Sequence, residues 1–270
     1  MLGKLRSYHK DSPKLLVFSH DFIGEEVFSY GVYEKFEIET MLQSLNFDLP
    51  QHNMLDIGAN IGNHSVQFSE HFKHVFSFEP NPLTFEVLKL NTRSRKNISI
   101  FNFGVSDKEG TSHLHVPEGN AGGAYVSDKP SENSVPIQLK PLDGNLNEPF
   151  AFIKIDVEGH EVNAFKGMRQ MLDKNKPVIC FELINEGESG MELVRTLEEL
   201  GYGPFYFPKE PGIASKSGKP SFLKEFIFGF FFKRTYQLEK IDAFNRHFYN
   251  LVICAHPESE YQLKESVIKK

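Results

Sequence analysis

Apolar positions along this chain gather into short runs separated by segments with helical spacing, and the most regular runs end in an acid. Residues 54–56 form one such run, closing on Asp56. A turn with Gly58 and Gly62 follows, then Val66, Phe68 and Phe72 at helical spacing, then a second run over 75–78 that closes on Glu79. That order predicts strand, glycine turn, helix, strand: one βαβ unit with a right-handed crossover. The alternation continues. Helices are expected over 34–46, 83–91 and 193–200, with another carrying Val162, Phe165, Met168 and Leu172. Strands are expected over 98–103, 151–155, 177–181, 202–207 and 248–255, the last of them free to return antiparallel after irregular sequence. Alternation at Leu15, Val17, Val27, Phe28 and Tyr30 predicts a small hairpin over 14–31, turning at 21–26. Residues 112–116 and 135–139 predict an inserted hairpin. Strands alternating with helices make an α/β sheet with helices on both faces.

Composition adds bounds rather than detail. The 270 residues are 40% hydrophobic and 24% charged, enough for one domain with a real core. A net charge of −6 gives no broad attraction to nucleic acid or to an anionic membrane. Cys180 and Cys254 lie inside apolar runs without metal spacing, and read as buried thiols of a reducing compartment. The polar start of the chain shows no secretory h-region, so a cytoplasmic location is expected. Residues 226–232, FIFGFFF, are far short of the roughly 20 apolar residues of a spanning helix, and read as an apolar wall.

The acids at the strand ends carry the chemistry. Ligands of such sheets sit beyond the carboxyl ends of the strands. Asp56 stands directly before the glycine turn, and the glycines read G-x-x-x-G. A carboxylate there repels a pyrophosphate but suits a ligand bearing an amino group beside a sulfonium. Glu79 stands 23 residues further on, where an acid captures a ribose diol. The pair favours S-adenosylmethionine (SAM) over NAD. Asp107, in a turn after the third strand, is a candidate for the adenine amine, with an ordinary Ser-Asp turn as the plain alternative. Asp156, Glu158 and His160 follow the fourth strand, and Glu182 and Asn185 the fifth, as a polar rim on the same face. Methyl transfer from a sulfonium needs an aligned nucleophile and, for a hydroxyl, a base. His160 or one of the carboxylates can take that proton. The cluster offers oxygen ligands to Mg²⁺, but no spacing demands a metal. The stretch between the inserted strands, rich in Gly, Pro, Ser and Asn, reads as a lid or a long exposed loop.

Taken together, DIGANIGNHS, FEPNP, GVSDKEG, FIKIDVEGHE and ICFEL resemble the FkbM-type family of SAM-dependent methyltransferases, over residues 33–183 with a looser echo at 248–257. The resemblance implies a class I, Rossmann-like fold of seven strands with the last antiparallel. It implies O-methylation of hydroxyls on sugars, glycans or macrolides. It carries a SAM role to Asp56, Gly58, Asn60 and Gly62, a ribose role to Glu79 and an adenine role to Asp107. The DVEGHE positions match a family signature, although a small residue often stands where His160 does. A single domain is then expected: 1–52 a hairpin and helix, 53–183 the cofactor core, 184–270 the acceptor side. Residues 208–220 and the phenylalanine-rich stretch are expected along that acceptor side. The acceptor is expected to be a small molecule or glycan, with no nucleic acid and no transmembrane segment. A non-catalytic SAM-binding module and a polyketide or lipid-linked acceptor stand as the alternatives.

Overall fold

The computed structural model describes residues 13–18, 22–116, 123–127, 129–130, 134–184, 187–209 and 237–268. The chain enters through two helices, α1 (Phe22–Tyr30) and α2 (Lys35–Ser44). The small hairpin expected over 14–31 is not formed, because residues from Phe22 onward are helical. Ile23 and Val27 are four apart, so the stretch read as alternating also has a helical repeat, and the helix takes it.

The core unit runs β1 (Asn53–Ile57), α3 (Asn63–Phe68), β2 (His74–Phe78), α4 (Pro82–Thr92) and β3 (Ile98–Phe101). Strands β1, β2 and β3 pair in parallel. Asn81 starts α4 by accepting a hydrogen bond from Leu83 N, and Pro82 fits its first turn. Next comes β4 (Gly104–Val105), then β5 (Gly110–His115), β6 (Tyr125–Ser127) and β7 (Ser134–Lys140). The inserted hairpin is present as the antiparallel pair β5–β7, and it grows into a four-stranded sheet in the order β4-β7-β5-β6.

The chain then returns to the main sheet through β8 (Phe150–Ile155), α5 (Glu161–Gly167), α6 (Arg169–Asn175), β9 (Val178–Ile184), α7 (Gly187–Glu199), β10 (Phe205–Lys209), β11 (Gln237–Lys240) and β12 (Phe248–Cys254). The long helix expected after β8 breaks into α5 and α6. Gly167 O is taken by the backbone N–H groups of Leu142 and Asp143, each at 2.9 Å. The Asp143 carboxylate then accepts from Gln170 N and Met171 N and caps the new start. Close backbone approach makes glycine necessary at the break: a Cβ at 167 would lie 1.8 Å from Ser106 O.

The main sheet runs β11-β10-β12-β9-β8-β1-β2-β3, with β12 antiparallel to β9 and β10 antiparallel to β12. The seven expected strands and the reversed last one are all there. The eighth, β11, adds an edge beyond β10. Successive strand residues point to opposite faces, and the core divides accordingly. Leu55, Ile57, Ile153 and Ile155 pack with Phe165, Leu193 and Leu197 on one face. Met54, Phe152, Val178 and Cys180 pack with Ile38, Met41 and Phe68 on the other. Cys180 and Cys254 are buried free thiols, as expected. No helix among the described residues is long and apolar enough to cross a membrane.

Candidate active site

The turn after β1 is built almost wholly from backbone. Gly58 N and Ala59 N both donate to Phe78 O, at 3.0 and 2.9 Å, and Asp156 N donates to Ile57 O at 3.0 Å. These bonds draw the turn against the loop after β8. Gly58 has φ +81° and lies so close to that loop that a Cβ would stand 1.8 Å from Asp156 O. No other residue fits such a position without moving the backbone. Gly62 precedes α3 and packs beneath Leu88 of α4.

Glu79, just past β2, is buried and bridges this turn to the next helix. Its Oε2 accepts from Asn60 N at 2.9 Å and its Oε1 from Asn81 N at 2.8 Å. Burial pushes the carboxyl up to about 7, against the pull of the two N–H donors and the more distant charge of Lys154. Asn60 has a left-handed backbone (φ 50°), and its Oδ1 is buried without a partner among the described residues. These groups line one wall of a cleft of about 590 Å³ including its mouth open to solvent, with Val105 of β4, Leu114 of β5 and His160 also in its lining.

Asp56 sits a layer deeper. It is fully buried, outside the cleft lining, with Oδ2 accepting from Ser65 Oγ at 2.5 Å and Ser65 accepting in turn from Ser77 Oγ at 2.8 Å. Asp56 Oδ1 has no hydrogen-bond partner among the described residues. Across the strand pair Asp56 is in register with Lys154 of β8.

Carboxylates crowd the far side of that pair. Lys154 Nζ lies 3.1 Å from Asp156 Oδ2. Burial works against the lysine charge, but Asp156, Asp56 and Glu34 outweigh it and hold the ammonium protonated. Glu158 has a left-handed backbone (φ 49°), as does Gly159 after it (φ 91°). Glu161 braces this loop by accepting from Val157 N at 3.3 Å and Gly159 N at 3.2 Å. Burial, then Asp156 and Glu161, push the Glu158 carboxyl up to about 7. Burial, then Asp156 and Glu158, push Glu182 well above the carboxylate range. A second cleft, about 1130 Å³, opens here, lined by Tyr125, Asp156, Glu158, Glu182, Glu192 and Leu193 among others. Asp156 and Glu158 line both clefts.

The residues singled out in the sequence therefore divide into groups. Gly58, Asn60, Glu79 and His160 line the first cleft, Glu182 lines the second, and Asp156 and Glu158 join the two. Glu182 lies within β9 rather than past its end. His160 is held by Ser106, Nε2 to Oγ 2.9 Å, on the side of the first cleft. Asp107 pairs with Lys108 and accepts from Ser106 Oγ, and it lines neither cleft. Asn185, residues 210–220 and residues 226–232 lie outside the described residues, as does most of the stretch read as a lid. Among the described residues no group of three or more His, Cys, Asp or Glu is placed to hold a metal ion.

Sequence reasoning passed over Lys154 and Glu34. Lys154 left a readable signal, a lone cation inside the apolar run FAFIKI and two residues before an acid on the same strand face. Glu34 left none. It reaches the site because the chain turns through φ 51° before α2, setting its Oε2 3.2 Å from His64 Nε2 and facing Lys154.

A parallel sheet reversed at its last core strand, with a glycine turn after β1 and an acid after β2, defines a class I methyltransferase fold. The family model for the methyltransferase FkbM domain matches residues 56–204, more than half of the chain, and the chain belongs to that family. Over 150 residues it is 32% identical to the hexuronic acid methyltransferase AglP of Haloferax volcanii. That match covers 53% of this chain and 60% of the relative, so the chain spans less than two thirds of the curated protein it matches. Among solved structures, the methyltransferase FkbM of Methylobacillus flagellatus is similar at 21% identity and a TM-score of 0.43, over 60% of this chain and 40% of that one. The fibrillarin of Aeropyrum pernix, solved with natively bound S-adenosyl-L-methionine, is similar at 12% identity and a TM-score of 0.42, over 81% and 73%.

Proposed function

We propose that the chain is a SAM-dependent O-methyltransferase, with the smaller cleft holding SAM and the larger one the hydroxyl acceptor. The observation that carries this reading is the shared border: Asp156 and Glu158 face both clefts, so a group in one meets a group in the other at these two acids. The residues present fit the cofactor. Asn60 lines the small cleft, and its buried Oδ1 has no hydrogen-bond partner among the described residues. Glu79 keeps free lone pairs for a ribose diol while two N–H groups fix its orientation. Asp56 stands behind the turn, outside the cleft lining, and ties β1 to α3 through Ser65. Bound in the small cleft, SAM supplies an electrophilic methyl group.

The chain's own residues do the rest. Glu158, held near 7 at the border, is the base in this reading, since a base works best when its proton affinity matches the surrounding pH. His160, tied to Ser106 on the cofactor side, serves as wall. The acceptor cleft carries Asp156, Glu158, Glu161, Glu182 and Glu192, and none of its described lining residues is Lys or Arg. Acidic neighbours already push Glu158 and Glu182 towards their protonated forms, and a further anion would add to that repulsion, so an uncharged or amino sugar fits this cleft better than the hexuronic acid named for the Haloferax relative.

Calorimetric titration with SAM, followed by transfer of labelled methyl from SAM to neutral, amino and uronic glycosides, tests the reading. Saturable SAM binding with label on neutral or amino glycosides is the expected result. Preferential labelling of uronic glycosides would overturn the charge argument. SAM binding with no transfer to sugar, polyketide or lipid-linked hydroxyls would leave a non-catalytic binding module.

A further inference from the structure

Lysine is an unusual occupant of a central strand. All six residues of β8 are buried, and Lys154 keeps only 9% of its side chain exposed. So little exposure leaves its charge poorly solvated, so the protein must supply the counter-charges. Asp156, Asp56 and Glu34 supply them, and further titratable groups face it from every element packed against it. Asp156 and Glu158 lie beyond its own strand, Asp56 stands beside it on β1, and Glu79 follows β2. Cys180 and Glu182 face it from β9, and Glu34 from the start of α2. Neighbouring strands are about 4.8 Å apart and residues in register point the same way, so Lys154 and Asp56 share one face of the sheet.

Neither cleft has Lys or Arg among its described lining residues. Lys154 stands directly behind the wall they share, with its ammonium on Asp156. We propose that Lys154 is a positioning residue for methyl transfer: pinned on Asp156 and beside Asp56, it is the common counter-ion of the two clefts and keeps Glu158 available as the base. The assignment rests on the methyltransferase reading above. Lys154 touches neither ligand in that reading. It fixes one carboxylate at the border by a direct ion pair and offsets the repulsion that this carboxylate exerts on Glu158 and Glu182.

The test uses the full chain without SAM, so that its failure and that of the methyltransferase reading are separate events. Glutamate carboxyls labelled with carbon-13 are titrated by NMR in the native protein and in Lys154→Met and Lys154→Arg. Glu158→Gln and Glu182→Gln assign the resonances. Loss of the cation should move the Glu158 and Glu182 midpoints upward by about one pH unit or more, the size expected for removing a nearby opposite charge. Lys154→Arg should leave both midpoints within a few tenths of native. Unmoved midpoints in a folded Lys154→Met protein would overturn the proposal. If Lys154→Met does not fold, Lys154→Gln, which keeps a donor for Asp156, is read by the same criterion. A native protein that fails to bind SAM would instead overturn the cofactor reading, whatever the glutamate midpoints do.

Discussion

The two clefts meet at one pair of acids yet are built from opposite materials. In the cleft proposed for the cofactor the work is done by backbone: Gly58 and Ala59 anchored on Phe78 O, Glu79 clasped by two N–H groups, a turn that admits no Cβ at position 58. On the acceptor side it is done by side chains that repel one another, Asp156, Glu158 and Glu182, balanced by Lys154 from behind. Backbone fixes shape and is indifferent to pH. A cluster of carboxylates is the reverse, adaptable in shape and sensitive to every proton. In the proposed reading, binding and chemistry are thereby separated at the level of the groups assigned to them.

That contrast breaks most easily at the turn. Gly58→Ala meets both a left-handed backbone and a backbone oxygen 1.8 Å from the new Cβ. It should destabilise the fold by about 3–5 kcal/mol and abolish SAM binding, as thermal melts and calorimetry would show. Removing the base sharpens the other half. Glu158→Gln should lower kcat by about 10²–10⁴-fold while changing SAM affinity far less, and the native pH–rate profile should rise through about 7 as this carboxyl ionises. An equal loss of kcat and SAM affinity would show that the two sides are not separable.

Glu79 tests the boundary between them, a titratable group placed among backbone donors. Its folded carboxyl is raised from 4.5 to about 7, so the stability it confers is full below pH 4.5 and is lost as pH rises through 7. For this fully buried group the loss amounts to about 3 kcal/mol. Glu79→Gln should flatten the fall in melting temperature between pH 5 and 8, while weakening SAM roughly tenfold through the lost charged contact. An unchanged pH slope would mean that Glu79 stays ionised throughout.

The glycine turn and its acid were legible in the sequence, and the reason is locality. Gly58, Gly62 and Glu79 lie within a single βαβ unit, where spacing along the chain maps directly onto position in the fold. The acceptor half was legible only as a set of acids. Its organisation depends on Lys154 meeting Asp56 across a strand pair and on Glu34 arriving from the helix before the core, contacts between residues far apart in the chain. The N-terminal segment misled because Val27, Phe28 and Tyr30 alternate while Ile23 and Val27 also keep helical spacing, and a stretch this short satisfies both repeats. The edge strand β11 went unread for a related reason: Gln237–Lys240 is mostly polar, as an edge permits, and carries little apolar pattern.

The left-handed backbone at Glu158 has a consequence for how this protein would respond to selection. A side chain at φ 49° costs about 1 kcal/mol more than glycine would, and here a partly buried acid is added to that strain. Directed evolution for heat resistance alone would drift toward glycine or asparagine at this position and gain melting temperature in silence. A library screened for thermal tolerance and then assayed for turnover would find its trade-off concentrated at one codon, where durability and activity ask for different residues.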